Sequence, residues 1–471
     1  IAGLGKDADF ELSILDDGRS AHIKAKAEGG LYFERLLFLT NGYNIAIIDS
    51  LRNSSDVAVS VPRHKIVLGP MELKDKNSSD LELAVSISSS QNGRQNVSEI
   101  NSKTKRTGFT SQFGAAGGGC SAATVPLTSP LSVSSVREAD VSWLAVRERF
   151  FVQVLTPASH SPAMESTAWR NPSAPGNALQ IKRVSAALIE DETVLEPGAS
   201  VSKEHSLFIG PRKMSELRKM GSEYTKIMSF GTWAFFCKML LDLLNFLYSI
   251  IPNYGIAIIL LTALVRLLLF PVNKRNAESM RKMAEVQPLI KEVQEKYKDD
   301  PKKLQAETMR IYGEKKINPL ASCLPMFIQL PIFIALFTVL RSAVELRYAS
   351  FLWISDLSAP ENLFREHFGF GVNILPIAMA LTMALQSSLT PTTGDRQQQR
   401  MMMVMMPVMM LLICYNFASA LSLYWTVSQV LAIAGLLWSR RKRERDSGES
   451  EAVLVKETRQ MRRDRLRRES R

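Results

Sequence analysis

Two hydrophobic periods divide the chain. Up to about residue 95, short runs alternate apolar and polar positions (FELSILDD, AHIKAKA, YNIAIIDSL, HKIVLG and LELAVSIS), each bounded by Asp, Asn, Gly or Ser. Period-two alternation places the apolar side chains on one face of a strand, so the stretch predicts half-buried strands of an antiparallel β domain. Strand-like text resumes in SWLAVRERFFVQVLTP, NALQIKRVSAAL and SVSKEHSLFIGP. Between the two sets, residues 96–135 are rich in Ser, Thr, Gly and Asn and read as a flexible insertion. A β-sandwich carrying that insertion is the expected architecture. The Asn-x-Ser sequons at Asn53, Asn77 and Asn96 match a pattern too common to carry an argument.

After about residue 213 the period changes. Lys213–Ser229 reads as a helix carrying Lys, Arg and Glu. The run Trp233–Ile251 is apolar, but Lys238, Asp242 and Asn245 share one face, which favours an amphipathic helix lying in a membrane interface. Asn253–Pro271 then offers about eighteen nearly apolar residues, the length of a crossing. Further apolar segments are Ala321–Ala343, Gly371–Leu389 and Met401–Trp438; the last is long enough for two helices joined by a hairpin near Asn416 and Ser419. Five spans result. The segment between the first two spans, residues 273–318, is strongly basic and rich in helix formers, broken at Asp299–Pro301, and predicts a cytoplasmic αα-hairpin. The loop Glu345–Phe370 is acidic and expected outside, whereas the basic tail opening with SRRKRER is expected inside. With an odd number of spans, the β domain falls on the outer side.

Composition agrees with this division. The 471 residues carry a formal charge of +12, with the basic excess after residue 270, which implies anionic partners such as lipid headgroups or ribosomal RNA. Cys120, Cys237, Cys323 and Cys414 are scattered and the five histidines are dispersed, so neither a metal site nor a disulfide framework is expected. Because the chain starts at Ile1 with no initiator Met or signal pattern, a missing N-terminal anchor or export signal is expected.

One charge sits inside the first span, Arg266, at a cost of roughly 2.5–3.5 kcal/mol at a helix centre. Two accounts offset it: snorkelling to the headgroups, or a water-filled cavity in which Arg266 is a fixed positive charge. Side chains lean toward a helix N-terminus, which aims Arg266 at the bilayer centre, with Thr262 one turn back on the same face. Other polar residues of the spans are Gln329, Gln386, Ser387, Ser388, Asn416, Ser419, Ser422, Ser428 and Gln429. Ser422, Trp425 and Gln429 form a polar-aromatic face on the last helix, although singly such residues serve as interhelical glue. The methionines between Met401 and Met410 suit either lipid packing or a slide for varied apolar partners. There is no HExxH, GxSxG or GxxxxGK[ST] motif, and the spans contain no Asp or Glu; enzymatic and proton-coupled functions are therefore not expected.

The run LLTALVRLLLFPVNKRNAESMRKMAEVQPLIKEVQEKYKDDPKKLQ, then EKKINPLASCLPMFIQLPIFIALFTVLRSAVELRYASFLWISDLSAP, then the Pro407–Ser428 segment with ASALSLYWTVS, closely resembles the YidC and oxidase-assembly type membrane protein insertases. SWLAVRERFFVQVLTP and SLFIGPRKMSEL resemble the exported domain of Gram-negative members. The resemblance implies an α-helical polytopic membrane protein preceded by an all-β supersandwich. In its terms residues 1–212 form the periplasmic domain, 213–252 a linker with an interfacial helix, 253–438 a five-helix core, and 439–471 a basic cytoplasmic tail. It implies a hydrophilic groove open to cytoplasm and lipid, with Arg266 and Thr262 as its arginine and threonine and Trp425 where relatives carry a client-contacting aromatic, often tyrosine. The candidate groove is then Arg266, Thr262, Gln329, Gln386, Ser422, Trp425 and Gln429. Candidate client or ribosome contacts are Lys274, Arg275, Arg281 and Lys282 in the hairpin and Arg440, Arg441, Lys442 and Arg443 in the tail. Implied partners are nascent membrane proteins, the general secretion translocon, the ribosome and lipids, in a bacterial inner membrane, with no cofactor and no small-molecule substrate. A channel or small-solute transporter is the alternative reading of the same cavity, and a passive scaffold anchored by the spans is a second.

Overall fold

Alternating sequence builds the first half of the molecule. The structure, a computed structural model, describes residues 9–15, 18–40, 42–72, 84–91, 94–100, 132–170, 181–228, 230–298, 300–315, 324–365, 369, 371–389, 396–439, 441 and 445. The strands are β1 (Phe10–Ile14), β2 (Ser20–Lys26), β3 (Leu31–Leu39), β4 (Asn44–Asn53), β5 (Val59–Val61), β6 (His64–Glu72), β7 (Ala84–Gln91), β8 (Arg94–Ile100), β9 (Ser132–Arg147), β10 (Phe151–Pro157), β11 (Ser161–Arg170), β12 (Ile181–Glu190), β13 (Thr193–Leu195) and β14 (Ser200–Pro211). Of the expected insertion, residues 96–100 belong to β8 and 132–135 to β9, and 101–131 lie outside the described residues.

Among the described residues twelve strands join one antiparallel sheet, ten of them in the order β1-β2-β3-β4-β14-β10-β9-β11-β12-β6, with β7 branching from β9 and β8 pairing with β7; β5 and β13 pair separately. The 16-residue β9 serves two sets of neighbours, Ser132–Val141 against β11 and Leu144–Arg147 against β10. Its inward residues Val141, Leu144 and Val146 meet Ile66, Leu155, Met164 and Leu188 in a buried apolar core. A second cluster gathers Ala27, Leu31, Leu51, Val61 and Leu195. Asn53 is fully buried, with its amide donating to the Leu195 and Val57 carbonyls at 2.9 and 2.8 Å. It is a structural pin and no surface acceptor for a glycan.

The expected helix Lys213–Ser229 is broken. Helix α1 (Met214–Met220) stops at Gly221, whose φ of 148° an L side chain rarely adopts, and a 3-10 stretch follows over Glu223–Met228. Tyr224 packs at a tilt against the buried Trp143 with centroids 5.5 Å apart and shares a 3.0 Å hydrogen bond with Thr156. This segment therefore packs with the strands, and the first compact unit comprises Ile1–Ala234 with Ser342–Val344.

The second unit, Phe235–Arg341 with Glu345–Arg471, is helical. Its helices are α2 (Ala234–Ile250), α3 (Tyr254–Leu268), α4 (Phe270–Glu285), α5 (Gln287–Lys296), α6 (Pro301–Glu314), α7 (Leu324–Ser342), α8 (Ile374–Leu389), α9 (Arg396–Cys414) and α10 (Ser419–Ser439). Asn253 caps α3 by accepting the Ile256 N–H at 3.2 Å. Pro271 lacks the N–H that would reach back one turn, and α3 ends at Leu268 instead of running on to Pro271. Asp300 caps α6 and Pro301 opens it, as the Asp299–Pro301 break predicts. The arm before that break is two helices, α4 and α5, parted at Val286 with Pro288 in the first turn of α5.

The expected five crossings do not all reach crossing length. Among the described residues two helices are long and apolar enough, Gly231–Ile250 and Ser419–Ser439. Tyr254–Leu268, Leu330–Ser342, Ile374–Leu389 and Met403–Cys414 are apolar but shorter, and Ala321–Cys323 lie outside the described residues. Gly231–Ile250, expected to lie in the interface, gains its length from the 3-10 turn Gly231–Trp233 ahead of α2. The hairpin expected near Asn416 and Ser419 is present between α9 and α10.

Candidate functional site

In the helical unit, close packing at one end positions the charge further along. Gly255 on α3 lies against Phe351, so closely that an added Cβ would sit 2.1 Å from its ring. The same end is knitted by Ala359, Glu361 and Asn373. Ser419 donates its hydroxyl to the Ala359 carbonyl at 2.6 Å, Asn373 donates to the Tyr415 carbonyl at 2.7 Å, and Glu361 accepts the Ile374 and Leu375 N–H groups at 2.6 and 2.9 Å. At about 1.5 Å per residue, Arg266 lies about 16 Å along α3 from Gly255, and Ser428 about 14 Å along α10 from Ser419. Arg266 falls in the last turn of α3 and Ser428 near the middle of α10.

Arg266 and Ser428 meet. The half-buried guanidinium donates through Nε and Nη2 to Ser428 Oγ at 2.9 and 2.6 Å. One turn earlier on α10, the buried Tyr424 is its electrostatic neighbour. No Asp or Glu occurs in α3, α7, α8, α9 or α10, so the charge is held by hydroxyl dipoles and is not neutralised within those helices. Thr262, one turn back, is buried and donates its hydroxyl to the Ile258 carbonyl at 2.6 Å. Its polarity is satisfied inside its own helix.

The remaining expected groove residues do not converge on Arg266. At about 100° per residue, Tyr424 and Ser428 lie about 110° around α10 from the Ser422–Trp425–Gln429 face. Trp425 instead packs edge-on against Phe333 of α7, with centroids 5.0 Å apart, and the aromatic contacts continue through Phe337 to Phe417. The Ser422 hydroxyl is buried and makes no hydrogen bond among the described residues. Gln386 and Gln429 are half-buried on α8 and α10, and the Gln329 side chain lies outside the described residues. Tyr424 was legible only as a hydroxyl four residues before Ser428, a spacing that puts both on one face.

In the basic stretches Lys274, Arg275 and Lys282 are exposed on α4, as is Arg441 in the tail; the Arg281 side chain and Arg440, Lys442 and Arg443 lie outside the described residues. On α9, Met405, Met406 and Met409 are exposed. Helix α2 buries Cys237, Leu240, Leu241 and Leu244 along one stripe and exposes Phe235, Met239, Phe246 and Ile250 elsewhere. Cys237 Sγ donates to the Ala335 carbonyl of α7 at 3.7 Å, so α2 is docked on the bundle.

Two family profiles match, one described as the YidC periplasmic domain over residues 5–243 and one as the 60Kd inner membrane protein over residues 246–446. The chain belongs to the YidC family. Membership places it in an inner membrane and gives it the family's fold, a β-rich periplasmic domain followed by a helical region. A membrane protein insertase YidC of Pelobacter propionicus is 33% identical over 310 residues, covering 64% of this chain and 54% of that one. Its counterpart in Syntrophus aciditrophicus is 36% identical over 296 residues, covering 62% and 51%. The chain thus spans about half the length of these relatives. A crystal structure of an active YidC insertase aligns over 91% of this chain and 83% of that one at 19% identity, with a TM-score of 0.38, too low to carry an argument.

Proposed function

We propose that this protein inserts nascent membrane proteins into the lipid bilayer, without hydrolysing a nucleotide, through a wet groove built around Arg266. The observation that carries the reading is the guanidinium held by the Ser428 hydroxyl, with no Asp or Glu on α3 or α7–α10. The names of the relatives, membrane protein insertase YidC, support it. In this reading α3, α7, α8, α9 and α10 are the five crossings and α2 lies in the outer interface. The β unit stands in the periplasm, and α4–α6 and the tail are cytoplasmic. The shorter crossings are accommodated by local thinning of the bilayer.

A client brings a short hydrophilic segment and an apolar one. The hydrophilic segment enters from the cytoplasmic side, past the exposed Lys274, Arg275 and Lys282. An acidic residue about 6 Å from Arg266 gains roughly 3 kcal/mol at an effective dielectric constant near 20, and water in the groove lowers the cost of carrying backbone polar groups inward. The apolar segment moves along the exposed Met405, Met406 and Met409 and along the aromatic wall of Phe333 and Trp425 into lipid. Its transfer contributes about 0.8 kcal/mol per buried methylene and drives the process. The basic tail serves the ribosome, and the general secretion translocon is a second partner in this reading.

Liposomes containing only the purified protein test the proposal. A small client translated in the absence of added ATP-dependent factors becomes protease-protected where the protein is present. Protein-dependent leakage of ions without client protection would instead favour a channel.

A further inference from the structure

The stretch of residues 345–365 is internally hydrogen-bonded and yet presents large apolar side chains to its surroundings. Its interior is built: Phe351 and Ile354 exchange two backbone hydrogen bonds at 2.9 Å, Leu363 and Val372 exchange another pair at 3.0 and 2.9 Å, and Leu346, Ile354, Leu357 and Asn373 are buried. Against that framework Tyr348 is 74%, Leu352 74%, Phe364 59% and Trp353 47% exposed. Three of these four have left-handed backbones, with φ of 57° at Tyr348, 52° at Leu352 and 63° at Phe364. Asn362, at 46°, is a residue type that tolerates this region, whereas Tyr, Leu and Phe are not. The fold thus holds strained backbone at the positions where a bulky apolar side chain points outward, an arrangement that burial in the protein's own core does not explain.

Two further observations indicate the occupant. The loop closes the end of the bundle where α3, α8 and α10 begin and α9 ends, and the outward surface of α8 continues directly from it through the exposed Ile374, Ile377 and Leu381. The side chains are also of the interfacial type. The Tyr348 hydroxyl accepts from Arg347 Nη2 at 3.4 Å while the guanidinium lies 5.2 Å from its ring centroid, giving a wet tip on an apolar body next to Trp353.

We propose that residues 345–365 form a membrane seat: Tyr348, Leu352, Trp353 and Phe364 enter the headgroup and acyl boundary of the outer leaflet and fix the depth of the helices that carry Arg266 and Ser428. The seat rests on the reading of α3 and α7–α10 as crossings.

The full chain, with its native cysteines replaced, is labelled with a nitroxide at L352C or F364C and reconstituted in phosphatidylethanolamine and phosphatidylglycerol vesicles. Controls are L381C on the exposed face of α8 and V57C in the β unit, where Val57 is 66% exposed. Collisions with oxygen, which partitions into lipid, are compared with collisions with a water-soluble nickel chelate. The seat predicts oxygen-dominated collisions at 352 and 364, at a shallower depth than 381, and chelate-dominated collisions at 57. Labels at 352 and 364 as open to the chelate as that at 57, with 381 in lipid, would overturn the seat alone. Labels shielded from both colliders would overturn it in favour of a protein cover. An aqueous label at 381 would overturn the crossings together with the seat.

Discussion

Replacing Ser428 with Ala removes the one hydroxyl that accepts both Nε and Nη2 of Arg266, at 2.9 and 2.6 Å. Two outcomes are separated by magnitude. In a dry site the guanidinium would lose its charge-assisted acceptor with nothing to replace it, and such bonds are worth about 1.5–3 kcal/mol each. In a wet groove a water molecule takes over the acceptor's place, and the net loss falls to that of an ordinary polar contact between membrane helices, about 0.6 kcal/mol. The half-burial of Arg266 and the absence of Asp and Glu from α3 and α7–α10 argue for the wet case. The assay is reversible unfolding of the full chain in mixed micelles of rising denaturing-detergent fraction, followed by helical circular dichroism, for wild type and Ser428→Ala. A loss below about 1 kcal/mol fits the groove. A loss above about 2 kcal/mol would show that Arg266 is sealed from water and would refute the reasoning from which the groove is built.

Three other perturbations probe the framework. Gly255→Ala forces a methyl into the Phe351 ring and is expected to cost about 1–3 kcal/mol in the same titration; restoring space with Phe351→Ala should make the pair non-additive, and simple additivity would mean that the contact is not the cause. Trp425→Ala removes the edge-on partner of Phe333, an interaction worth about 0.5–1.5 kcal/mol, whereas Trp425→Tyr should retain most of it; equal losses for the two would place the wall elsewhere. In the β unit His205 lines a cavity of about 230 Å³ beside the paired Arg35 and Asp49, and both its ring nitrogens lack a hydrogen-bond partner among the described residues. Burial is the largest influence and lowers its pKa, with Arg35 and Lys203 acting in the same direction against Asp49 and Glu190. The folded state therefore binds the proton less readily than the unfolded chain does. Its stability is fully present above about pH 6.5 and falls as pH drops below that, by at most about 1.4 kcal/mol per pH unit. The thermal midpoint of the detergent-solubilised chain should show this acid slope reduced in His205→Gln, and an unchanged slope would acquit the histidine.

The β half was readable because strands with one buried face write their register into the sequence. β14 alternates along SVSKEHSLFIGP, and its inward His205, Phe208 and Gly210 positions fall two or three residues apart. β11, SPAMESTAWR, buries Ala163 and Met164 in succession, and its period is correspondingly faint. The break of the Lys213–Ser229 helix followed from Gly221, whose conformation depends on where Tyr224 must reach to meet Trp143. In the helical half Arg266 was conspicuous as one charge in an apolar run, while its partner was not. Ser428 reads like any other small polar residue of a membrane helix. The choice between the two faces of α10 is made by the rotation of that helix against α3 and α7, a tertiary quantity that no local period carries. Thr262 shows the converse: a hydroxyl on the expected face spends its hydrogen bond on its own backbone.

The central claim is that Arg266 acts on clients as a fixed charge in a wet groove. It is tested most directly by protease protection in proteoliposomes, comparing wild type with Arg266→Ala on two clients that differ only in whether their exported segment is acidic or neutral. The roughly 3 kcal/mol attraction corresponds to about a hundredfold in groove occupancy for the acidic segment and little for the neutral one. The account predicts a large deficit for the acidic client and near-normal insertion of the neutral one. Equal insertion of both clients by both proteins would contradict it.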